Sequence, residues 1–151
     1  MENKAQPECV PARRIWDIYS TNHFMNDYFH IDIETIRYGE VTVAMTTDPA
    51  IHTNHRGVIH GGVFAALFDA VTGVTSCTLG GAMAVTTNMT IDYIRNVTPG
   101  KRIAVTSHVL HAGKTTIVME AKMTDEDGKL MGNMTATMLI LGHYDGVPEK
   151  W

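Results

Sequence analysis

A single carboxylate stands in the middle of this sequence. Asp69 is the only residue with a charged side chain (Asp, Glu, Lys or Arg) between Gly57 and Ile91. A carboxylate in such surroundings is costly to bury unless a partner or a hydrogen bond compensates it, and burial increases its basicity. Two interpretations are open: Asp69 is a general base or nucleophile, or it is a structural residue that hydrogen-bonds to nearby hydroxyl or backbone groups.

The triplet His60-Gly61-Gly62 leads into the segment that carries Asp69. Glycine leaves the backbone N–H groups unshielded, and a helix N-terminus adds a partial positive charge. Together these features can hold a developing oxyanion. A glycine-rich loop before a helix has the same composition without any catalytic role, so the triplet alone is weak evidence.

The segment after this triplet predicts a helix over residues 62–77, which Gly80-Gly81 ends. Its apolar residues fall on one side: Val63, Phe64, Leu67, Ala70, Val71 and Val74. The opposite side combines Asp69 with small residues: Gly62, Ala65, Thr72, Gly73 and Ser76. A solvated helix face usually carries Lys, Glu and Arg. We therefore expect a strand or a second subunit to cover the face that carries Asp69.

Period-two alternation on both sides of the helix predicts a sheet. Strands are expected over residues 31–38, 41–45, 85–93, 102–111, 115–123 and 130–141. Residues 1–30 are predicted to form an N-terminal leader, broken by Pro7 and Pro11, with a short helix over residues 13–27. Residues 31–151 are predicted to form the main domain. One long helix and an antiparallel sheet of five or six strands make an α+β fold.

Length and composition limit the classes of function. The 151 residues suit one domain, and 44% hydrophobic with 19% charged residues are typical of a folded chain. The net charge of −4 gives no basic excess for nucleic acid or a membrane surface. No apolar run approaches the roughly 20 residues of a membrane span. Only two cysteines, Cys9 and Cys77, indicate a reduced, cytoplasmic protein.

Several of these residues together resemble the signature of hotdog-fold acyl-CoA thioesterases of the PaaI (phenylacetic acid degradation) type. The matching features are Asn54, His60-Gly61-Gly62, Leu67, Asp69, AVTTNMTIDYIRNVTPGKRI and AGKTTIV. The resemblance covers roughly residues 31–141. It implies a hotdog fold, in which an antiparallel sheet wraps around one central helix. It also implies a homodimer, often paired into a homotetramer, whose active site lies between subunits and hydrolyses an acyl-CoA without a cofactor.

The resemblance implies a role for each matching residue. Asp69 would be the base or nucleophile, and Asn54 would orient the water or the thioester. The amide of Gly61 or Gly62 would polarise the thioester carbonyl. Thr86 matches a position where the family often has Ser or Thr near the water. Asp69 of one subunit would face Asn54 and the glycine turn of the other.

Further residues are candidates for contact with the substrate. By the resemblance, His60 supports the turn or contacts the thioester, and Arg95 and Lys114 can meet the phosphates of CoA. Ordinary solvated surface is the alternative for both cations. His52, His55 and His60 do not have the spacing of a common zinc ligand set, and no nearby Cys or carboxylate completes one, so we expect no metal site.

Two other functions agree with fewer of these features. A non-catalytic acyl-CoA-binding or sensor module is the main alternative, but the chain lacks a basic recognition segment and keeps Asn54 and Asp69. A hotdog dehydratase is the other alternative, and its pattern is a His paired with a helix acid, together with a Pro-Gly run. This chain has His60-Gly61-Gly62 and Asp69 instead. The sequence leaves open the acyl group, the choice between CoA and acyl-carrier protein, and whether Asp69 activates water or attacks directly.

Overall fold

A computed structural model of the chain describes Pro7 and residues 9–151. One helix of 17 residues packs against a six-stranded antiparallel sheet with strand order β1-β2-β4-β5-β6-β3. In chain order the elements are α1 (Val10–Tyr19), a π-helical segment (Phe24–Tyr28), β1 (Asp32–Arg37), β2 (Glu40–Thr46), α2 (Gly61–Cys77), β3 (Ala82–Tyr93), β4 (Arg102–Ala112), β5 (Thr116–Asp125) and β6 (Leu130–His143). The predicted α+β fold is therefore confirmed, with six strands.

Helix α2 forms the centre of the hydrophobic core. Its sheet-facing residues Leu67, Phe68 and Val71 have no exposed surface. Burial of each such side chain contributes ~1.5–3 kcal/mol. The helix ends where Gly80-Gly81 predicted, because Gly81 adopts φ +73° and its N–H donates to the Cys77 carbonyl at 3.0 Å. A side chain at Gly81 is excluded, since a Cβ there would lie 2.3 Å from the Tyr144 carbonyl oxygen.

The predicted N-terminal helix is wrong in its bounds. Residues 13–27 were expected to be helical, whereas α1 covers Val10–Tyr19 and the π-helical segment follows at Phe24–Tyr28. Pro11 lies in the first turn of α1, where a helix needs no N–H donor, so it starts the helix instead of breaking it. Ile15 and Met25 are buried in the same core as α2. The predicted leader over residues 1–6 and Glu8 lies outside the described residues.

The small-residue face of α2 is covered along only part of its length. The hydroxyl of Tyr19 in α1 donates to the Gly73 carbonyl at 2.7 Å. At Gly73 the covering element is the helix α1 of the same chain, because Gly73 lets the Tyr19 ring approach the backbone. At Ser76 it is a strand, as the sequence predicted, since the Ser76 hydroxyl donates to the Ala82 carbonyl of β3 at 3.4 Å. Gly62 and Asp69, nearer the start of α2, remain exposed. A cover over Asp69 therefore stays a prediction.

The sheet has two edges, β1 and β3, and β3 pairs with β6 on one side only. None of the helices in the described part of the chain has the length and hydropathy needed to cross a lipid bilayer.

Candidate active site

The carboxylate of Asp69 is held by one side chain of the edge strand. The hydroxyl of Thr86 in β3 donates to Asp69 Oδ1 at 2.6 Å. Asp69 is exposed and Thr86 is half-buried. The sequence predicted both residues for the site, and the structure brings them into direct contact.

A β-bulge places Thr86 on the helix side of β3. Thr86 pairs with Met138, but the next paired position is Asn88 with Thr137, so Thr87 is an extra residue. Met89, further along β3, packs against the core beneath α2. Strict alternation would put Thr86 and Met89 on opposite faces of the sheet. The bulge brings both to the same face, and nothing in the alternation of β3 predicts it.

The start of α2 offers one backbone amide as an oxyanion donor. His60 is the N-cap, and its Nδ1 accepts from the Gly62 N–H at 2.9 Å. The Gly62 amide is therefore occupied by the cap. The Gly61 N–H makes no hydrogen bond within the described residues. Of the two amides predicted as oxyanion donors, the N–H of Gly61 is the one that remains available to a ligand.

Tyr93 is a neighbour of the site that was not among the predicted site residues. Its hydroxyl donates to the Gly61 carbonyl at 3.3 Å, and its ring lies 5.5 Å from that of Phe64. A Cβ on Gly61 would approach Tyr93 Cε1 to 3.2 Å, so the close fit favours glycine there. Tyr93 could have been identified from its position at the end of the alternating residues of β3, within the segment that resembles the family pattern.

Asn54 stabilises the loop that leads to His60-Gly61-Gly62. Its Oδ1 accepts from the Arg56 N–H at 2.9 Å, and its backbone N–H donates to the Val58 carbonyl at 2.8 Å. An isolated bridge between Thr53 and Ile59 ties this loop together. The side-chain carbonyl of Asn54 is therefore used within the turn, and its NH₂ group is the part that can meet a substrate.

The predicted site residues form two separate groups within one chain. The carboxylate group consists of Asp69 and Thr86, and the loop group consists of Asn54, His60 and Gly61. Asp69 follows Gly61 by eight residues on α2, which separates their backbones by about 12 Å along the helix axis. Asp69 makes no hydrogen bond to the loop group. One chain by itself does not assemble the complete constellation.

The two predicted CoA-contacting cations differ in their relation to the site. Arg95 is exposed on the rim of a cleft of ≈270 Å³ that it shares with Gly61 and Tyr93. Lys114 is exposed in the turn between β4 and β5. Neither has an ion-pair partner among the residues described. Arg95 is thus placed beside the loop group, whereas no hydrogen bond or ion pair among the described residues joins Lys114 to that group.

A second cavity opens at the start of α2. Its volume is ≈490 Å³. Its lining consists of Tyr28, Phe29, Ile51, His52, His60, Gly62 and Val63. It adjoins the loop group at His60, and the polar side chains in its wall are those of Tyr28, His52 and His60. Within the described part of the chain, no three His, Cys, Asp or Glu side chains come together to hold a metal ion.

The sequence profile of the thioesterase superfamily matches residues 56–131, which is half of the chain. The chain belongs to the thioesterase superfamily. The matched region contains His60-Gly61-Gly62, Asp69 on α2 and Thr86 on β3. Asn54 lies just before it.

Two solved structures share the fold of this chain. The Escherichia coli PaaI protein of the phenylacetic acid degradation operon superposes with a TM-score of 0.80 over 89% of this chain and 98% of its own, at 24% identity. A hypothetical thioesterase of Streptococcus pneumoniae TIGR4, solved with coenzyme A, gives a TM-score of 0.79 over 86% and 99%, at 25% identity. The predicted hotdog fold is therefore confirmed.

Relatives in the superfamily carry names that describe an activity. Acyl-coenzyme A thioesterase 13 of Mus musculus is 38% identical over 82 residues, which are 53% of this chain and 59% of the relative. The match thus spans less than two thirds of that protein. The acyl-coenzyme A thioesterase PaaI of Escherichia coli (strain K12) is 30% identical over 99 residues, which are 66% of this chain and 69% of PaaI.

Proposed function

We propose that this protein is an acyl-CoA thioesterase that hydrolyses its substrate to a free acid and CoA. The observation that carries the proposal is the Asp69 carboxylate, exposed on α2 and fixed by the Thr86 hydroxyl at 2.6 Å. On the same helix, the Gly61 amide is outside the cap hydrogen bond. The names of the thioesterase relatives and the coenzyme A in the pneumococcal structure support the same substrate class.

The proposed chemistry needs a base and a donor, and no serine triad. Asp69 takes a proton from water while the water oxygen attacks the thioester carbonyl carbon. The Gly61 N–H, at the positive end of α2, stabilises the negative charge that develops on the carbonyl oxygen. The carbon–sulfur bond then breaks, and the CoA thiolate leaves and takes up a proton. Direct attack by Asp69, through an anhydride that water then hydrolyses, uses the same groups.

The separation of the two groups supports a homodimer as the active form. With about 12 Å of helix between Gly61 and Asp69, a second copy that brings its own loop group to Asp69 would complete the site. The edge strand β3 carries Thr86 and has a free side, and free strand edges tend to pair. Pairing of β3 with its copy would join two sheets close to both carboxylates. A homotetramer would be a pair of such dimers.

Binding of CoA and the cellular location complete the proposal. Arg95 on the rim of the Gly61 cleft is the first candidate for a CoA phosphate, and Lys114 is the second. The thiols of Cys9 and Cys77 are both free, and this agrees with residence in the reducing cytoplasm.

The experiment that tests the function is release of free thiol from a panel of acyl-CoA and acyl-carrier-protein thioesters. The Asp69→Asn variant keeps the size of the side chain and removes the base, so we expect a loss of roughly 10²–10⁴-fold in kcat. Asp127→Asn, in the exposed turn before β6, is the matched control and should keep wild-type turnover. Wild-type turnover by Asp69→Asn would overturn the mechanism.

The same panel separates the enzyme from the main alternative. An acyl-CoA-binding module would bind the panel members in calorimetry and release no thiol from any of them. Sedimentation of the purified protein tests the dimer in parallel. A monomer that turns over at the full rate would contradict the shared site.

A further inference from the structure

The loop of residues 48–58, the Asn54 loop, is anchored by one buried side chain. Between Thr47 and Ile59, which are both buried, the only buried residue is His52, with 5% of its surface exposed. The other residues of the loop are exposed or half-buried. A segment with few buried contacts opens at a lower free energy than the whole fold. The attachment of the Asn54 loop therefore depends on how His52 is held.

Three contacts hold His52 in the closed loop. Its ring Nδ1 accepts from the Asp48 N–H at 2.7 Å. Its backbone carbonyl accepts from the N–H of His60, the N-cap of α2, at 2.8 Å. The Phe29 ring stacks on the imidazole, with centroids 5.8 Å apart and planes inclined by 3°. Through these contacts His52 joins the beginning of the loop to the beginning of α2.

The contact with Asp48 requires a neutral imidazole. A ring nitrogen that accepts from an N–H carries no proton, so the proton of neutral His52 is on Nε2. That atom is buried without a hydrogen-bond partner among the described residues. A second proton would make Nδ1 a donor that faces the Asp48 N–H, and the buried ring would carry a charge without an acceptor at either nitrogen. The protonated ring is therefore incompatible with the closed loop.

The groups around His52 act on its charge in both directions. Burial lowers the pKa of His52, the Asp48 carboxylate opposes this by raising it, and His30 lowers it further. His60 and Tyr28 are the other titratable side chains in the cavity wall that His52 shares, and no Asp, Glu, Lys or Arg is among the described residues of that wall. The closed loop thus favours the neutral ring.

On the basis of the proposed function, we propose that protonation of His52 releases the Asn54 loop, so that the enzyme loses affinity for its substrate reversibly as the pH falls below neutral while the rest of the fold persists. Release displaces the Asn54 NH₂ group from the site. It also breaks the hydrogen bond from the His60 N–H to the His52 carbonyl at the start of α2, where Gly61 offers its amide. His52 touches no substrate in this scheme and is a positioning residue.

Proton linkage gives the sign and the size of the effect. The open loop exposes His52, which then takes up its proton at the ordinary imidazole pKa of 6.5, whereas the closed loop keeps the ring neutral to a lower pH. The closed loop is therefore most stable above pH 6.5 and becomes less stable as the pH falls from that value to the lower pKa of the closed state. Within this window one site shifts the opening equilibrium by at most about tenfold per pH unit.

Hydrogen exchange of single backbone amides tests the release. The Asp48 amide reports the bond to His52 Nδ1, and the His60 amide reports the bond to the His52 carbonyl. The Gly62 amide bonds to His60 Nδ1 and reports the helix cap separately. Between about pH 7.5 and about pH 5, the protection factors of Asp48 and His60 should fall together by roughly tenfold. The amides of the β4–β5 pairing should keep theirs.

Two variants isolate the contribution of the ring. His52→Asn places a side-chain oxygen near the position of Nδ1, where it accepts from the Asp48 N–H and does not titrate. The protection of the Asp48 amide should then no longer depend on pH over this range. His55→Asn replaces an exposed histidine of the same loop and should behave as the wild type.

The dissociation constant of S-octyl-CoA, a thioether that cannot be hydrolysed, measures the effect on the site. The wild type and His55→Asn should bind it about tenfold more weakly at the lower pH and recover when the pH is restored. His52→Asn should lose this difference, because the ionisation of CoA itself is common to all three proteins.

The ¹⁵N resonances of the His52 ring give a test in the unmodified protein. The ring should gain its second proton in parallel with the loss of protection at Asp48. Constant protection of Asp48 in the wild type, or a ring that is protonated while Asp48 stays protected, would overturn the inference. An equal fall of protection in His52→Asn, or a release of the loop that leaves the S-octyl-CoA affinity unchanged, would also overturn it.

These readouts separate the inference from the proposed function, because none of them requires hydrolysis. If no thioester is hydrolysed while acid still releases the Asn54 loop and weakens binding, the thioesterase proposal fails and the role of His52 stands. If thioesters are hydrolysed while the loop stays protected at the lower pH, the function stands and the role of His52 fails.

Discussion

The hydroxyl of Thr86 and the carboxylate of Asp69 join the edge strand to the central helix through a hydrogen bond of 2.6 Å. The bond leaves Asp69 Oδ2 without a hydrogen bond in the described part of the chain and restricts the rotation of the carboxylate. Because Thr86 is on β3, any movement of this strand also moves the partner of Asp69. Pairing of β3 with a second copy would therefore fix the carboxylate as well as the sheet edge.

Removal of the Thr86 hydroxyl should slow turnover without preventing binding. Thr86→Val keeps the shape of the side chain and loses the donor to Asp69. Hydrogen bonds to charged groups are worth ~1.5–3 kcal/mol, so we expect kcat to fall roughly ten- to hundredfold. KM should change little, since Thr86 positions Asp69 and does not carry the substrate. Steady-state kinetics with one acyl-CoA measures both constants.

Two variants control the Thr86 experiment. Thr86→Ser restores the hydroxyl and should recover most of the rate. Thr135→Val removes an exposed hydroxyl on β6, away from the edge strand, and should leave the rate unchanged. Equal losses in Thr86→Ser and Thr86→Val would mean that packing, and not the hydrogen bond, explains the effect.

Gly61 should not tolerate a side chain while Tyr93 is present. In Gly61→Ala the new Cβ would lie 3.2 Å from Tyr93 Cε1, so the ring or the loop must shift. Small displacements of an oxyanion donor are costly, and we expect kcat to fall by about ten- to hundredfold. In a Tyr93→Leu background the same substitution should cost less. A double-mutant cycle on kcat measures the coupling, and strict additivity would show that the contact with Tyr93 is not the cause.

Much of the fold could be predicted because its signals are local. Period-two alternation located six strands, the apolar stripe with Leu67 and Val71 located α2, and Gly80-Gly81 marked its end. These features depend on neighbours within a few residues. The prediction failed where the effect of a residue depends on its position in an element. Pro11 would break a helix in its interior, but in the first turn it starts α1.

The candidate site was predictable in its residues and not in its contacts. Asp69, Thr86 and the glycine triplet stood out by type and spacing, and the first two do meet. The bulge at Thr87, which makes this contact possible, has no signal in the alternation of β3. The stacking of Phe29 on His52 joins segments that are distant in sequence, so only the folded chain brings it about.

The cap on α2 should contribute measurably to stability. His60 Nδ1 accepts from the Gly62 N–H at 2.9 Å, so His60→Ala leaves that amide without its cap. Loss of an N-cap costs ~1 kcal/mol, and Asn is among the best N-cap residues. We expect His60→Ala to lower the free energy of unfolding by about this amount, and His60→Asn to retain most of it. Urea unfolding at one fixed protein concentration measures both, and equal loss in the two variants would contradict the capping role.

Cys77 should make the stability of the protein depend on pH in the alkaline range. Burial raises the pKa of the Cys77 thiol from 9.0 to about 11. Between these values the unfolded chain releases the proton while the folded chain keeps it, so the unfolded state is favoured as the pH rises. The contribution of the neutral thiol is therefore complete below pH 9.0 and is lost as the pH approaches 11.

The comparison that isolates this effect is between Cys9→Ser and the double variant Cys9→Ser, Cys77→Ala. The exposed Cys9 is removed from both, so its titration and its reactivity do not interfere. Every other titrating group is present in both proteins. Burial, and to a smaller extent the charge of Cys77, raise the pKa of the Tyr19 hydroxyl, so the difference includes the coupling between Tyr19 and Cys77. The stability advantage of the Cys77-containing protein should be constant below pH 9.0 and decrease towards pH 11. A difference in unfolding free energy that does not change over this range would show that Cys77 ionises equally in both states.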